Sequence, residues 1–149
     1  MDFTVISTYR CNSRCSTCNI WMHSTRPVGE IPLEVLGKIP GGIDNLNITG
    51  GEPTLREDLM DIVDLLYPKA MQLEISSNGL YPERIEPIIK KYPNVKIRFS
   101  LAEFEATNSQ ILGEETGCGV TRNVLPNFID AGILGRVIQA EGDVLSTVL

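Results

Sequence analysis

The sequence predicts an α/β fold built on a parallel sheet, and three observations predict it. Short runs rich in β-branched and aromatic residues alternate with amphipathic stretches about five times along the chain. That is the pattern of βαβ units joined by right-handed crossovers. No stretch repeats another. The segments richest in cysteine, glycine, serine and asparagine follow the predicted strands, and parallel sheets bind ligands at the carboxyl ends of their strands.

The elements follow in order. Residues 3–9 read as a short buried strand that delivers the chain into a cysteine-bearing loop running to about residue 29. Residues 32–39 place Leu33, Leu36 and Ile39 at a three-residue spacing, which predicts a short helix ending at Pro40, Gly41 and Gly42. A second strand over 45–49 runs into Gly50, Gly51, Glu52 and Pro53. Residues 56–67 predict an amphipathic helix, with Leu59, Ile62, Val63, Leu65 and Leu66 on one side and acids in the early turns, where the helix dipole favours them. A third strand, 73–77, breaks at Asn78 and Gly79. Pro82 suits the first turn of a helix over 82–92 that buries Ile85, Ile88 and Ile89. Alternation over 95–101 predicts the fourth strand, with Val95, Ile97, Phe99 and Leu101 on one face. Beyond it come a long loop to 119 with a helical turn at 107–112, a helix over 122–131, and a fifth strand at 135–139.

The 149 residues suffice for one domain with a real core, so a single domain spanning 1–149 is expected. A formal charge of −6 without a Lys/Arg cluster argues against nucleic acid or an anionic membrane as the main partner. No apolar run approaches the roughly 20 residues of a membrane-spanning helix. Met1, Asp2 and Phe3 open without the basic and apolar regions of a signal peptide, which predicts a cytoplasmic protein. In that reducing compartment, closely spaced cysteines are metal ligands or catalysts rather than disulfides.

Cys11, Cys15 and Cys18 are separated by three and then two residues. Such gaps let three thiolates converge on one inorganic centre and are too short to reach separate sites. Three ligands leave one position open for substrate or cofactor, whereas a closed structural site takes four. A zinc site completed by Cys118 or by His23, the only histidine, is the competing arrangement. Arg10 and Arg14 flank the cysteines and are expected to help hold them as thiolates. Gly50 and Gly51 allow a backbone to come close to a ligand, Pro53 stiffens the turn, and Glu52 offers a carboxylate to a ligand ammonium. Ser76, Ser77 and Asn78 bring hydroxyl and amide groups that either bind a ligand or form the turn before Leu80.

The cysteine spacing, followed some thirty residues later by Gly50, Gly51, Glu52 and Pro53 at a strand end, resembles the radical S-adenosylmethionine (radical SAM) superfamily. The resemblance implies a partial (β/α)6 TIM-like barrel of parallel strands, of which about five β/α units are present, so the chain is expected to be incomplete at its C-terminus. It implies a [4Fe-4S] cluster on Cys11, Cys15 and Cys18, with S-adenosylmethionine on the fourth iron. It implies contacts from Gly50, Gly51 and Glu52 to the amino group of the methionine moiety, with Ser76, Asn78, Ser100 and Gln139 as further cofactor contacts and Glu141 nearby. The activity implied is reductive release of a 5′-deoxyadenosyl radical that takes hydrogen from an unknown substrate. The implied partners are that substrate and an electron donor such as a flavodoxin or ferredoxin. An open sheet would leave an edge unpaired, which predicts self-association. The chain departs from the family at Thr17, where an aromatic residue is common, and at Ala102, where an acid is common. The alternative function is a non-catalytic structural or interaction module holding zinc or a cluster.

Overall fold

The computed structural model describes residues 1–15 and 18–99. Four strands, β1 (Asp2–Thr8), β2 (Ile43–Gly50), β3 (Ala70–Ser77) and β4 (Lys96–Phe99), form one sheet in sequence order, with every neighbouring pair parallel. Helices α1 (Leu33–Leu36), α2 (Leu59–Leu66) and α3 (Pro82–Lys91) occupy the three connections. The α/β class and the parallel sheet are as the alternation predicts. The fifth strand, the helix over 122–131 and the end of the fourth strand lie outside the described residues.

The register explains the core. Val5 lies opposite Ile48, Ile48 opposite Ile75, and Ile75 opposite Ile97, so one row of β-branched residues crosses all four strands. All four are buried, together with Leu46, Leu73 and Phe99 on the same face. Against this face pack Leu59, Ile62, Val63 and Leu66 of α2 and Ile85, Ile88 and Ile89 of α3. The other face is polar: Thr4, Asn47 and Glu74 succeed one another across the sheet, and Lys96 pairs with Glu74 in register. There Ser76 Oγ donates to Asn47 Oδ1 at 3.1 Å and Arg98 pairs with Glu74 at 3.0 Å. A cavity of about 290 Å³ opens on this face, lined in part by Asn45, Gln72, Glu74, Lys96 and Arg98.

One element starts later than its pattern predicts. The chain after Glu52 makes a 3-10 turn (Pro53–Leu55) and Arg56 stays extended, so α2 begins at Leu59 rather than at 56. The reason is tertiary: the Arg56 guanidinium is drawn back onto β1 and grips Asp58, whose carboxylate therefore does not cap the helix. Among the described residues no helix is long and apolar enough to cross a membrane.

The row that crosses the sheet should dominate stability. Ile75→Ala is expected to cost about 2–5 kcal/mol through lost burial and the cavity left behind. Met71→Ala, on the same strand but 84% exposed, should stay within about 0.5 kcal/mol of the parent. Urea denaturation of the two variants checks both values.

Candidate metal centre

The site is built where β1 and β2 end. Beyond the last paired residues the ladder continues as backbone hydrogen bonds: Gly51 N–H donates to Thr8 O and Glu52 N–H to Arg10 O, each at 2.8 Å. The glycine turn is thus zippered onto the chain that leads to Cys11. The approach is close enough to exclude side chains. A β-carbon on Gly50, which sits at φ +149°, would stand 2.2 Å from Thr8 O, and one on Gly51 would stand 2.1 Å from Arg10 O and 3.0 Å from the Cys11 β-carbon. Only glycine fits at these two positions. The cysteine loop and the Gly50, Gly51, Glu52 turn, whose Cys11 and Gly51 stand forty positions apart in sequence, are one structural unit.

Glu52 is not a surface carboxylate. It is fully buried, and four donors converge on it: Thr54 N–H at 3.0 Å, Thr54 Oγ1 at 2.6 Å and Ser77 Oγ at 2.8 Å onto Oε1, and Asn78 N–H at 2.6 Å onto Oε2. Burial nevertheless pushes its carboxyl above the ordinary range. Its side chain braces the end of β2 against the end of β3, and its backbone is the part presented to the cysteine loop.

Asn78 carries the brace onward. Its amide nitrogen donates to Asn12 Oδ1 at 2.8 Å and Ser13 Oγ at 3.0 Å, while its own oxygen accepts from Leu80 N–H at 3.1 Å. The residue is 7% exposed, so its side chain fastens the cysteine loop to β3. Ser76 points to the polar sheet face, away from Ser77 and Glu52. Ser100, Gln139, Glu141 and Cys118 lie outside the described residues.

Cys11, Cys15 and Cys18 are free thiols, the first two partly buried and the third exposed. Ser13 N–H donates to Cys11 Sγ at 3.4 Å, and Cys18 N–H to Cys15 O at 3.3 Å. A cavity of about 590 Å³ opens beside Cys11, lined also by Asn12, Arg14, Trp21 and Met22. Among the described residues no three His, Cys, Asp or Glu side chains are gathered as tightly as one metal ion requires. The donor chemistry suits a polynuclear group: soft thiols on one loop, with a backbone amide already directed at one sulfur.

The flanking arginines do not act as the sequence suggests. Arg10 is committed to Glu30, with Nε at 2.6 Å from Oε1, and Arg14 lies over the Trp21 ring at 6.0 Å. The Cys11 and Cys15 thiols are pushed up rather than down, burial being the larger cause in both.

The sequence pattern of the Radical SAM superfamily matches residues 5–124. The chain belongs to the Radical SAM superfamily. It is 30% identical over 97% of its length to a protein of Archaeoglobus fulgidus named as a probable GTP 3',8-cyclase, of which it covers 53%. It is 28% identical over 93% of its length to a GTP 3',8-cyclase of Aliarcobacter butzleri, of which it covers 45%. A protein of Methanocaldococcus jannaschii, provisionally named a glycyl-radical enzyme activating enzyme, is 35% identical over 54% of this chain and 32% of its own length. The radical SAM chain thus spans about half the length of the cyclases it matches. Enzymes of this superfamily use a [4Fe-4S] cluster and S-adenosylmethionine.

Two charged residues that contact both ends of the loop carry no sequence signal. Glu30 and Arg56 are both buried side chains, yet Glu30 sits in a polar loop and Arg56 in a stretch whose periodicity predicts a solvated helix face. Burial pushes the Glu30 carboxyl up, but hydrogen bonds from Arg10 and Thr8 outweigh it and hold the group below its ordinary range.

Two outcomes follow. Gly51→Ala should destabilise the chain by about 1–3 kcal/mol, because backbone rather than a flexible side chain must move, as measured by urea denaturation. Glu30, with its lowered pKa, contributes stability that is present above the ordinary carboxylate pKa and lost as pH falls through the lowered folded value. Glu52, with its raised pKa, has the opposite sign, but it is common to parent and variant and cancels in their difference. The stability gap between the parent and Glu30→Gln should therefore narrow as pH falls from about 5 to about 3, read from denaturation curves at each pH.

Proposed function

We propose that residues 1–149 form a radical SAM core domain whose Cys11, Cys15 and Cys18 hold a [4Fe-4S] cluster and whose strand ends hold S-adenosylmethionine. The observation that carries this reading is the backbone zipper that sets Gly51 against Arg10 and Cys11. This contact supports the reading because it brings the loop proposed to hold the cluster next to the glycine turn proposed to meet the methionine moiety. When bound, the cluster and cofactor would supply reductive cleavage of a carbon–sulfur bond, giving a 5′-deoxyadenosyl radical that takes hydrogen from a substrate.

The chain's own residues bind and orient. Three thiols supply three ligands and leave one metal position for the cofactor. Gly50, Gly51 and Glu52 would receive the amino group through their backbone, since the Glu52 carboxylate is engaged elsewhere. Ser76, Asn78, Ser100 and Gln139 complete the proposed contacts, with Asn78 acting chiefly by holding Asn12 and Ser13. Trp21 and Arg14 wall the cavity beside Cys11.

Relatives are named for GTP cyclisation and for glycyl-radical activation, and the proposal for this chain ends at the half-reaction. An external one-electron donor, flavodoxin or ferredoxin in type, would reduce the cluster. Within the described sheet β1 has one unpaired edge, where a second chain would pair. A cytoplasmic location is part of the same proposal, because the cluster needs a reducing compartment.

The test is anaerobic reconstitution with iron and sulfide. A brown protein with about four irons per chain that cleaves S-adenosylmethionine on reduction is expected, and Cys15→Ala should abolish the colour. A colourless chain retaining a single zinc ion would instead establish the structural module.

A further inference from the structure

The segment joining β1 to α1, residues 9–32, is longer than the about 12–15 residues most connections stay under. Its two ends meet over one buried arginine. Arg56 Nη1 donates to Ser7 O, at the entry, and to Ile31 O, at the exit, both at 2.9 Å. Its Nε and Nη2 form a two-pronged pair with Asp58 at 2.8 and 2.6 Å. Glu30, also at the exit, accepts from Arg10 Nε at 2.6 Å and Arg10 Nη2 at 3.2 Å and from the Thr8 hydroxyl, all at the entry. Arg56 Nε lies 3.9 Å from Glu30, so positive and negative groups alternate from Arg10 through Glu30 and Arg56 to Asp58. The side chains of Arg56 and Glu30 are 4% and 7% exposed.

We infer that Arg56 and Glu30 are positioning residues that close the neck of the cysteine loop and so set how Cys11, Cys15 and Cys18 are presented. Neither side chain lines the cavity beside Cys11, and neither belongs to the apolar core. What they join is three pieces of the site: the end of β1, the exit of the loop, and the chain just after the glycine turn. A second tie, Tyr9 N–H to Thr25 Oγ1 at 3.3 Å, lies inside the same neck. A lysine at position 56 would keep the charge but has one nitrogen, which cannot reach two carbonyls and a carboxylate in the directions the planar guanidinium serves. The inference rests on the cysteine loop being the cluster site, and its test separates the two ideas.

Arg56→Lys and Glu30→Gln are compared with the parent and with Asp64→Asn. The last removes an exposed ion pair between α2 and Lys91, remote from the loop. In the metal-free full chain, the alkylation rate of each cysteine is followed by mass spectrometry, with far-ultraviolet circular dichroism as the check on folding. After reconstitution, iron per chain and the electron paramagnetic resonance spectrum of the reduced cluster are recorded. The neck variants should keep the parent's dichroism, alkylate Cys11 and Cys15 at least fivefold faster, load at most half the iron and give an altered spectrum, while Asp64→Asn matches the parent throughout. Unchanged alkylation in both neck variants would overturn the inference even if the parent never took up iron, and that last result would separately remove the cluster assignment. Loss of the whole fold in both neck variants would also overturn it, since Arg56 and Glu30 would then be general structural groups.

Discussion

Everything at this site depends on how closely two backbones approach at the ends of β1 and β2. A side chain at position 50 or 51 would need room that the facing backbone occupies. Here two glycines remove that need, and the pairing runs on through Gly51 and Glu52 until it reaches Arg10. The contact involves main chain alone, so it carries no rotamer freedom and presents Cys11 in a fixed relation to the turn. Around it the structure adds polar contacts: the buried Glu52 brace, the Asn78 link to Asn12 and Ser13, and the charged neck of Arg56 and Glu30.

The polar supports are expensive in isolation and sound in combination. A buried carboxylate is costly unless donors surround it, and Glu52 has four. A buried arginine is costly unless paired, and Arg56 spends its guanidinium on two carbonyls and a carboxylate. These groups cluster at the carboxyl ends of the strands, whereas the helix-covered face of the sheet is apolar up to Ser7 and Ser77 at those ends. The apolar core and the site geometry thereby lie in different parts of the same sheet.

Periodicity made the elements legible, because helix and strand each bury one face at a characteristic spacing: Ile85, Ile88 and Ile89, or Val95, Ile97 and Phe99. The cysteine spacing and the paired glycines were legible because few other residues can do their work. Glu52 was legible as important and illegible in its task, since nothing in the sequence says whether a carboxylate after two glycines faces outward or is buried by residues from the next strand. Arg56 and Glu30 were illegible altogether. Apart from Asp58, their partners are carbonyls and side chains twenty or more positions away, and a charged residue in a polar or amphipathic stretch looks like surface until the chain folds over it.

The long reach of these contacts orders events during synthesis. A ribosome that has released Cys18 has delivered all three thiols, but Arg10 gains its main-chain partner only with Glu52, and Asn12 and Ser13 gain theirs only with Asn78. Until then the thiols belong to an unfastened segment. On the proposed reading, inorganic loading of a shaped loop is therefore a late step, one that waits for the third strand to emerge and dock.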